Sequence, residues 1–468
     1  MKPVKRYKNK LISSAVATAC AAGLGLSGNA LAKTDADAIG DLALVPYYTV
    51  RNNFATGVHI INTSAHTQVV KFRLRRAEDS ADAMDIDVIL SPYDEWTGFI
   101  SGSEADGITL GSEDNSCTAP APSSVAGNTK TWLMPDINKS GAEEGYIEVI
   151  AMGQTVDENQ PIAIAAKHNA NGVPKNCDEV RENFFAWAPP LTGGVSSSSR
   201  TYNLANQKSD FTDSDDPLKV SYFIRDPQSG MEFGNNAVHI KEFLIGAAMA
   251  NQETGLADGD TSGLDFPDLN GAGSNTAIPG LHDRYDNVVR LDLGNAPTGP
   301  VKIINDWSKN STNGVTTDWI VTIPGQYLMV NPAGGVGADQ RDLPLTATFE
   351  VYNREEKKYL SRNLVISPSN GRGKTKFPNE VNVLRWGEKS IFESPNAQAV
   401  TGLNDPYGWA AVTVAPVTTH PQTIFDYSGV IAPHAPANRV PVIGYAAWRR
   451  TFNNAEKNYG RIIEHSRK

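Results

Sequence analysis

Asp258-Gly-Asp260-Thr-Ser262-Gly-Leu-Asp265-Phe-Pro-Asp268 is the sharpest local constellation of oxygen donors in the chain. Oxygens at alternating positions, with Gly263 at the sixth, match the opening of a calcium loop, where carboxylates and a carbonyl converge because glycine permits the turn. Asp258, Asp260, Ser262, Asp265 and Asp268 are therefore the candidate calcium ligands, and calcium is the one candidate cofactor. Position twelve is Leu269, where such loops place a bidentate glutamate, so the competing reading is an acidic, solvated loop.

Other reactive residue types show no catalytic spacing. His59, His66, His168, His239, His282, His420, His434 and His465 include no pair at metal-site spacing and no His-Glu-x-x-His, and each reads as a surface or packed histidine. A nucleophile elbow of the Gly-x-Ser-x-Gly type and a phosphate-binding loop are both absent. No catalytic residue is assigned, and the expectation is a protein that is not an enzyme. The eight tryptophans, spread from Trp96 to Trp448, read as core, whereas a sugar-stacking platform requires several of them exposed together.

Cysteine usage depends on compartment. Residues 1–32 carry Lys2, Lys5, Arg6, Lys8 and Lys10, an apolar run from Leu11 to Leu26, and Ala30-Leu-Ala32, the pattern of a secretory signal peptide. Cleavage there leaves only Cys117 and Cys177. In an oxidising compartment these most simply form one disulfide across about 60 residues, worth roughly 3–5 kcal/mol; the alternative is two unpaired thiols. Removal of five bases from the 42 Lys+Arg, against 52 Asp+Glu, leaves a net charge of about −15, which disfavours a nucleic-acid partner. No later stretch approaches the ~18–20 uninterrupted apolar residues of a membrane helix, so no transmembrane segment is expected after cleavage.

The elements that must position these residues are strands. Val70, Phe72 and Leu74 alternate with Lys71, Arg73 and Arg75, while Met84, Ile86 and Val88 alternate with Asp85 and Asp87. Period two marks half-buried strands, and antiparallel pairing sets a basic row against an acidic pair on the outward face. Further strands are expected over 41–50, 57–62, 131–134, 145–152, 161–168, 218–225, 288–293, 301–306, 317–323, 345–352, 380–386 and 408–417, with a closing hairpin of 440–452 and 459–465 whose basic residues face solvent. Asn176 caps a helix with Glu179 three residues on, and Val180, Phe184 and Trp187 fall at helical spacing. Residues 102–129 read as a long surface loop.

The expected fold is mainly β: two immunoglobulin-like β-sandwich domains with long loops and one or two short helices. The first spans 33–195 with a short helix near 177–187, and the second spans 196–468 with insertions at 251–280 and 367–378.

Leu44-Val-Pro-Tyr-Tyr48, Val58 to Ser64, Leu90-Ser-Pro-Tyr-Asp-Glu-Trp96-Thr, Asn171-Gly-Val-Pro-Lys-Asn-Cys177 and Thr316-Thr-Asp-Trp-Ile-Val-Thr-Ile-Pro324 together resemble an uncharacterised group of secreted proteins from Gram-negative bacteria. The pattern of Val58 to Ile100 more loosely resembles immunoglobulin-like modules. The first likeness implies an exported location in the periplasm, at the cell surface or outside the cell, and carries no functional residue. The expected function is a structural or adhesion-like binding role toward other envelope or surface proteins. A glycan-binding protein or glycan-active enzyme, with its site between the domains, is the alternative.

Overall fold

A computed structural model describes residues 38–185, 210–249, 267–271, 284–294, 300–330, 345–367, 371–416, 423–425, 431–432 and 440–468. The signal segment 1–32, the boundary at 195/196 and most of the 251–280 insertion lie outside these residues.

The fold is mainly β, and its large sheets are almost wholly antiparallel. The first sheet runs, in spatial order, Val238–Ile240, Leu42–Thr49, Glu144–Thr155, Gln68–Arg76, Asp82–Leu90 and Cys117–Ala119, with Phe211–Thr212 added beside Glu144–Thr155. The second runs Glu232–Asn236, Leu218–Arg225, Ala55–Asn62, Glu95–Ser103, Gly107–Ser112, Thr129–Leu133 and Ser124–Ala126. Phe72 pairs with Ile86, Lys71 with Asp87 and Arg73 with Asp85, the register that the alternation predicts. Phe72 and Ile86 are buried against the second sheet, where Trp96 sits 5.5 Å from the Phe72 ring. Each fully buried aromatic or aliphatic side chain here contributes roughly 1.5–3 kcal/mol.

Two further sheets form the other half. The third runs Lys374–Phe377, Leu345–Asn353, Tyr407–Pro416, Val301–Ser308 and Ser466–Arg467. The fourth runs Gly371–Arg372, Val365–Ser367, Gln398–Thr401, Val381–Arg385, Val315–Thr322, Ile443–Arg450 and Tyr459–Glu464. Val412, Phe349 and Ile303 of the third pack against Trp319, Leu384 and Ala446 of the fourth. Trp307, Trp319 and Trp386 fill that interior, with Trp307 stacked on Trp386 at 5.6 Å.

Chain order does not divide these layers at residue 195. Leu218–Arg225 and Glu232–Asn236 extend the second sheet, and Val238–Ile240 edges the first. The opposite face of the fourth sheet, through Ile320, Val383 and Tyr445, joins the core of the first two sheets. Phe392 packs its ring against Tyr47, Phe54 and Phe233.

Several local expectations are corrected. Pro161–Ala166 is a helix rather than a strand, because Pro161 occupies its first turn and Ile162, Ala163, Ala165 and Ala166 form the buried face, with Ile164 turned outward. Tyr285–Val289 and Arg290–Leu293 are helical where a strand was expected. Residues 102–129 hold three short strands, turned at Gly102 and Gly107, both at φ +104°. The 367–378 insertion includes the edge strand Lys374–Phe377. The basic row does not face solvent: Lys71, Arg73 and Arg75 are fully buried. Chain from the far half, at Pro267 and Tyr327, covers that face of the first sheet.

Candidate functional site

The residues named for chemistry are dispersed. Cys117 and Cys177 form a disulfide, Cα atoms 5.1 Å apart, which ties the strand Cys117–Ala119 to the helix Cys177–Phe185. Asn176 caps that helix by accepting the Glu179 N–H at 3.2 Å. Of the calcium candidates, Asp258, Asp260, Ser262 and Asp265 lie outside the described residues. Asp268 is buried, and its carboxylate accepts the Asn270 N–H at 2.7 Å and the Tyr327 hydroxyl at 3.4 Å. Among the described residues no three His, Cys, Asp or Glu side chains converge on a metal position.

The histidines serve structure where they are enclosed. His239 Nε2 accepts the Val220 N–H at 2.8 Å. His465 donates from Nε2 to the Ile320 carbonyl and accepts from Asn305 at Nδ1, both at 3.0 Å, and burial lowers its pKa to about 3.

Charge is concentrated on the covered face of the first sheet. Arg75 lies 2.5 Å from Asp82 and 3.1 Å from Glu148, and Arg73 lies within 3.5 Å of Asp82, Asp85 and Glu148. Lys71 meets Asp85 at 3.5 Å. Arg75 also donates to the Tyr327 hydroxyl while its guanidinium lies over that ring, 5.0 Å from the centroid. Such an enclosed network orients the layers and is closed to any ligand.

The open chemistry is on the outward face of the third sheet. Trp96, Trp132, Trp307, Trp319 and Trp386 are buried, whereas Trp409 is 41% exposed. Its cross-strand partner Tyr352 lies parallel to it, ring centroids 4.2 Å apart and planes at 6°. On Trp409's other side the partner is Asp306, whose carboxylate accepts the Trp448 indole N–H at 2.9 Å. One row along, Glu350 accepts from Lys302 at 3.0 Å and Lys358 at 2.6 Å, and these hydrogen bonds, led by Lys358, hold its pKa below the ordinary carboxylate range. Lys358 also lies over the Tyr352 ring, and Arg354 stacks 4.1 Å over Tyr407. Ala411, Thr413 and Thr348 continue the face as small side chains, with Ala411 itself buried.

No local pattern along the chain assembles this group. Its signal is period-two spacing in two strands, Glu350 and Tyr352 in one and Tyr407 and Trp409 in the other, but nothing local shows that those strands are neighbours. Comparison with known proteins supplies no further guide: no family model matches the chain, and neither a curated protein nor a solved structure matches it.

Proposed function

We propose that this is an exported, non-catalytic binding protein of the envelope or secreted fraction, and that the Trp409 face takes a carbohydrate. The observation that carries the reading is the exposed indole held parallel to Tyr352 between fixed charged side chains. An aromatic face carries negative quadrupole density, which attracts the weakly positive C–H groups on the flat side of a pyranose ring. Parallel stacking on Tyr352 restrains the indole beforehand, so binding sacrifices less side-chain freedom. Lys302, Glu350 and Lys358 then supply charge-assisted hydrogen bonds to hydroxyl groups.

The same face is poorly suited to hydrolysis. A glycosidase requires one carboxyl held protonated as an acid, with its pKa raised. Glu350 is held in the opposite direction by two lysines, and Asp306 is already bonded to Trp448.

Screening the purified chain on a glycan array, followed by titration monitored by tryptophan fluorescence, tests the reading. The expected outcome is saturable binding that Trp409→Ala weakens by about tenfold or more, with circular dichroism unchanged. An array without signal, or a Trp409→Ala protein binding like the parent, rejects it. Cell fractionation tests the export component, with the protein expected in the periplasm, at the surface or in the medium.

A further inference from the structure

A second polar site lies at the end of the fourth sheet. A cavity of about 250 Å³ is lined by Lys309, Lys389, Arg449 and Thr316 among others, with Glu388 the acidic side chain present. It is several times the roughly 30 Å³ that one water occupies in the liquid. Thr316 and Arg449 are directly paired across Val315–Thr322 and Ile443–Arg450, so their side chains leave the sheet together on one face.

Both present buried polar atoms without a partner. Thr316 Oγ1 and Arg449 Nε have no hydrogen-bonding partner among the described residues, and Arg449 makes no ion pair there. Asp318, on the same strand face, is near enough for the Arg449 charge to act on its carboxyl; its Oδ2 accepts the Ser390 hydroxyl and the Ile391 N–H, both at 2.6 Å, and its Oδ1 has no hydrogen-bond partner among the described residues. Lys309 uses one N–H on the Leu403 carbonyl and keeps two more. The segment carrying Lys389 is seated closely, because a Cβ at Gly387 would fall 2.0 Å from Thr316 Oγ1, and Arg385 binds the carbonyls of Gly387 and Glu388.

Buried donors are ordinarily satisfied, and a buried Arg449 Nε without a partner, in a cavity also lined by Lys309 and Lys389, fits an anion. We propose that this cavity binds a tetrahedral oxyanion, a phosphate or sulfate group, held by Arg449, Lys389 and Lys309 with Thr316 as a further hydroxyl donor.

Isothermal titration calorimetry of the full chain with inorganic phosphate and, separately, sulfate tests this, with ionic strength held constant by sodium chloride. Saturable binding of either is expected, and the tighter one names the preferred group. Arg449→Gln should weaken it by about tenfold or more and Lys389→Ala by roughly fivefold, while Trp409→Ala should bind the anion like the parent. Lys389 is exposed, so its variant decides the matter even if Arg449→Gln fails to fold. No saturable heat with either anion, or a Lys389→Ala titration equal to the parent's, overturns the site.

Discussion

Asp318 and His465 contribute opposite pH dependences from within a few residues of each other in space. Burial raises the Asp318 pKa from 3.8 to about 6, so stability is greatest when the group is protonated, below its ordinary pKa, and is lost as pH rises through 6. Burial lowers the His465 pKa, so stability is intact above 6.5 and falls as pH drops toward 3. Ionised Asp318 therefore costs roughly 3 kcal/mol at pH 8, and Asp318→Asn relieves this, less about 1 kcal/mol for amide hydrogens lacking acceptors. Urea unfolding should show the variant about 2 kcal/mol more stable at pH 8, with the gain gone by pH 4. A less stable variant at pH 8 refutes the assignment.

The strands Gln68–Arg76 and Asp82–Leu90 show how far a local pattern reaches. Their pairing and register follow from alternation, and so does the inward turn of Phe72 and Ile86. Burial of Lys71, Arg73 and Arg75 does not follow, because period two distinguishes two faces without saying what covers the second. The consequence is energetic. Glu148→Ala removes an acid facing both Arg73 and Arg75 and should cost about 3–5 kcal/mol, since it leaves buried cations undercompensated. Denaturant midpoints measure this, and a loss under 1 kcal/mol contradicts the enclosed network. The helix Pro161–Ala166 makes the converse point: apolar runs of six to eight residues fit strand and helix alike, and the first-turn proline decided between them.

For the whole molecule, a mainly β fold of packed antiparallel sheets was legible and the fusion of its halves was not. The fourth sheet gives one face to Trp307 and Trp386 and the other to the core of the first two sheets. The halves are thus expected to unfold together. Calorimetry should record one transition for the full chain, and a fragment ending at residue 250 should lack cooperative unfolding, since Tyr47, Phe54 and Phe233 lose Phe392. A fragment with its own sharp transition would show the halves to be independent.

By itself, the sequence determined the mainly β class, many of the strands, the pairing of the Phe72 and Ile86 strands and the Cys117–Cys177 partnership. These depend on alternation, short connections and the two cysteines that lie beyond the leader-like segment holding Cys20, all readable along the chain. Tertiary structure alone decided that a basic row is interior, that Trp409 stands exposed beside Tyr352, and that Thr316 and Arg449 share a cavity with Lys389. Those groupings join strands separated by tens to hundreds of residues, and sheet order, which no local periodicity encodes, brings them together.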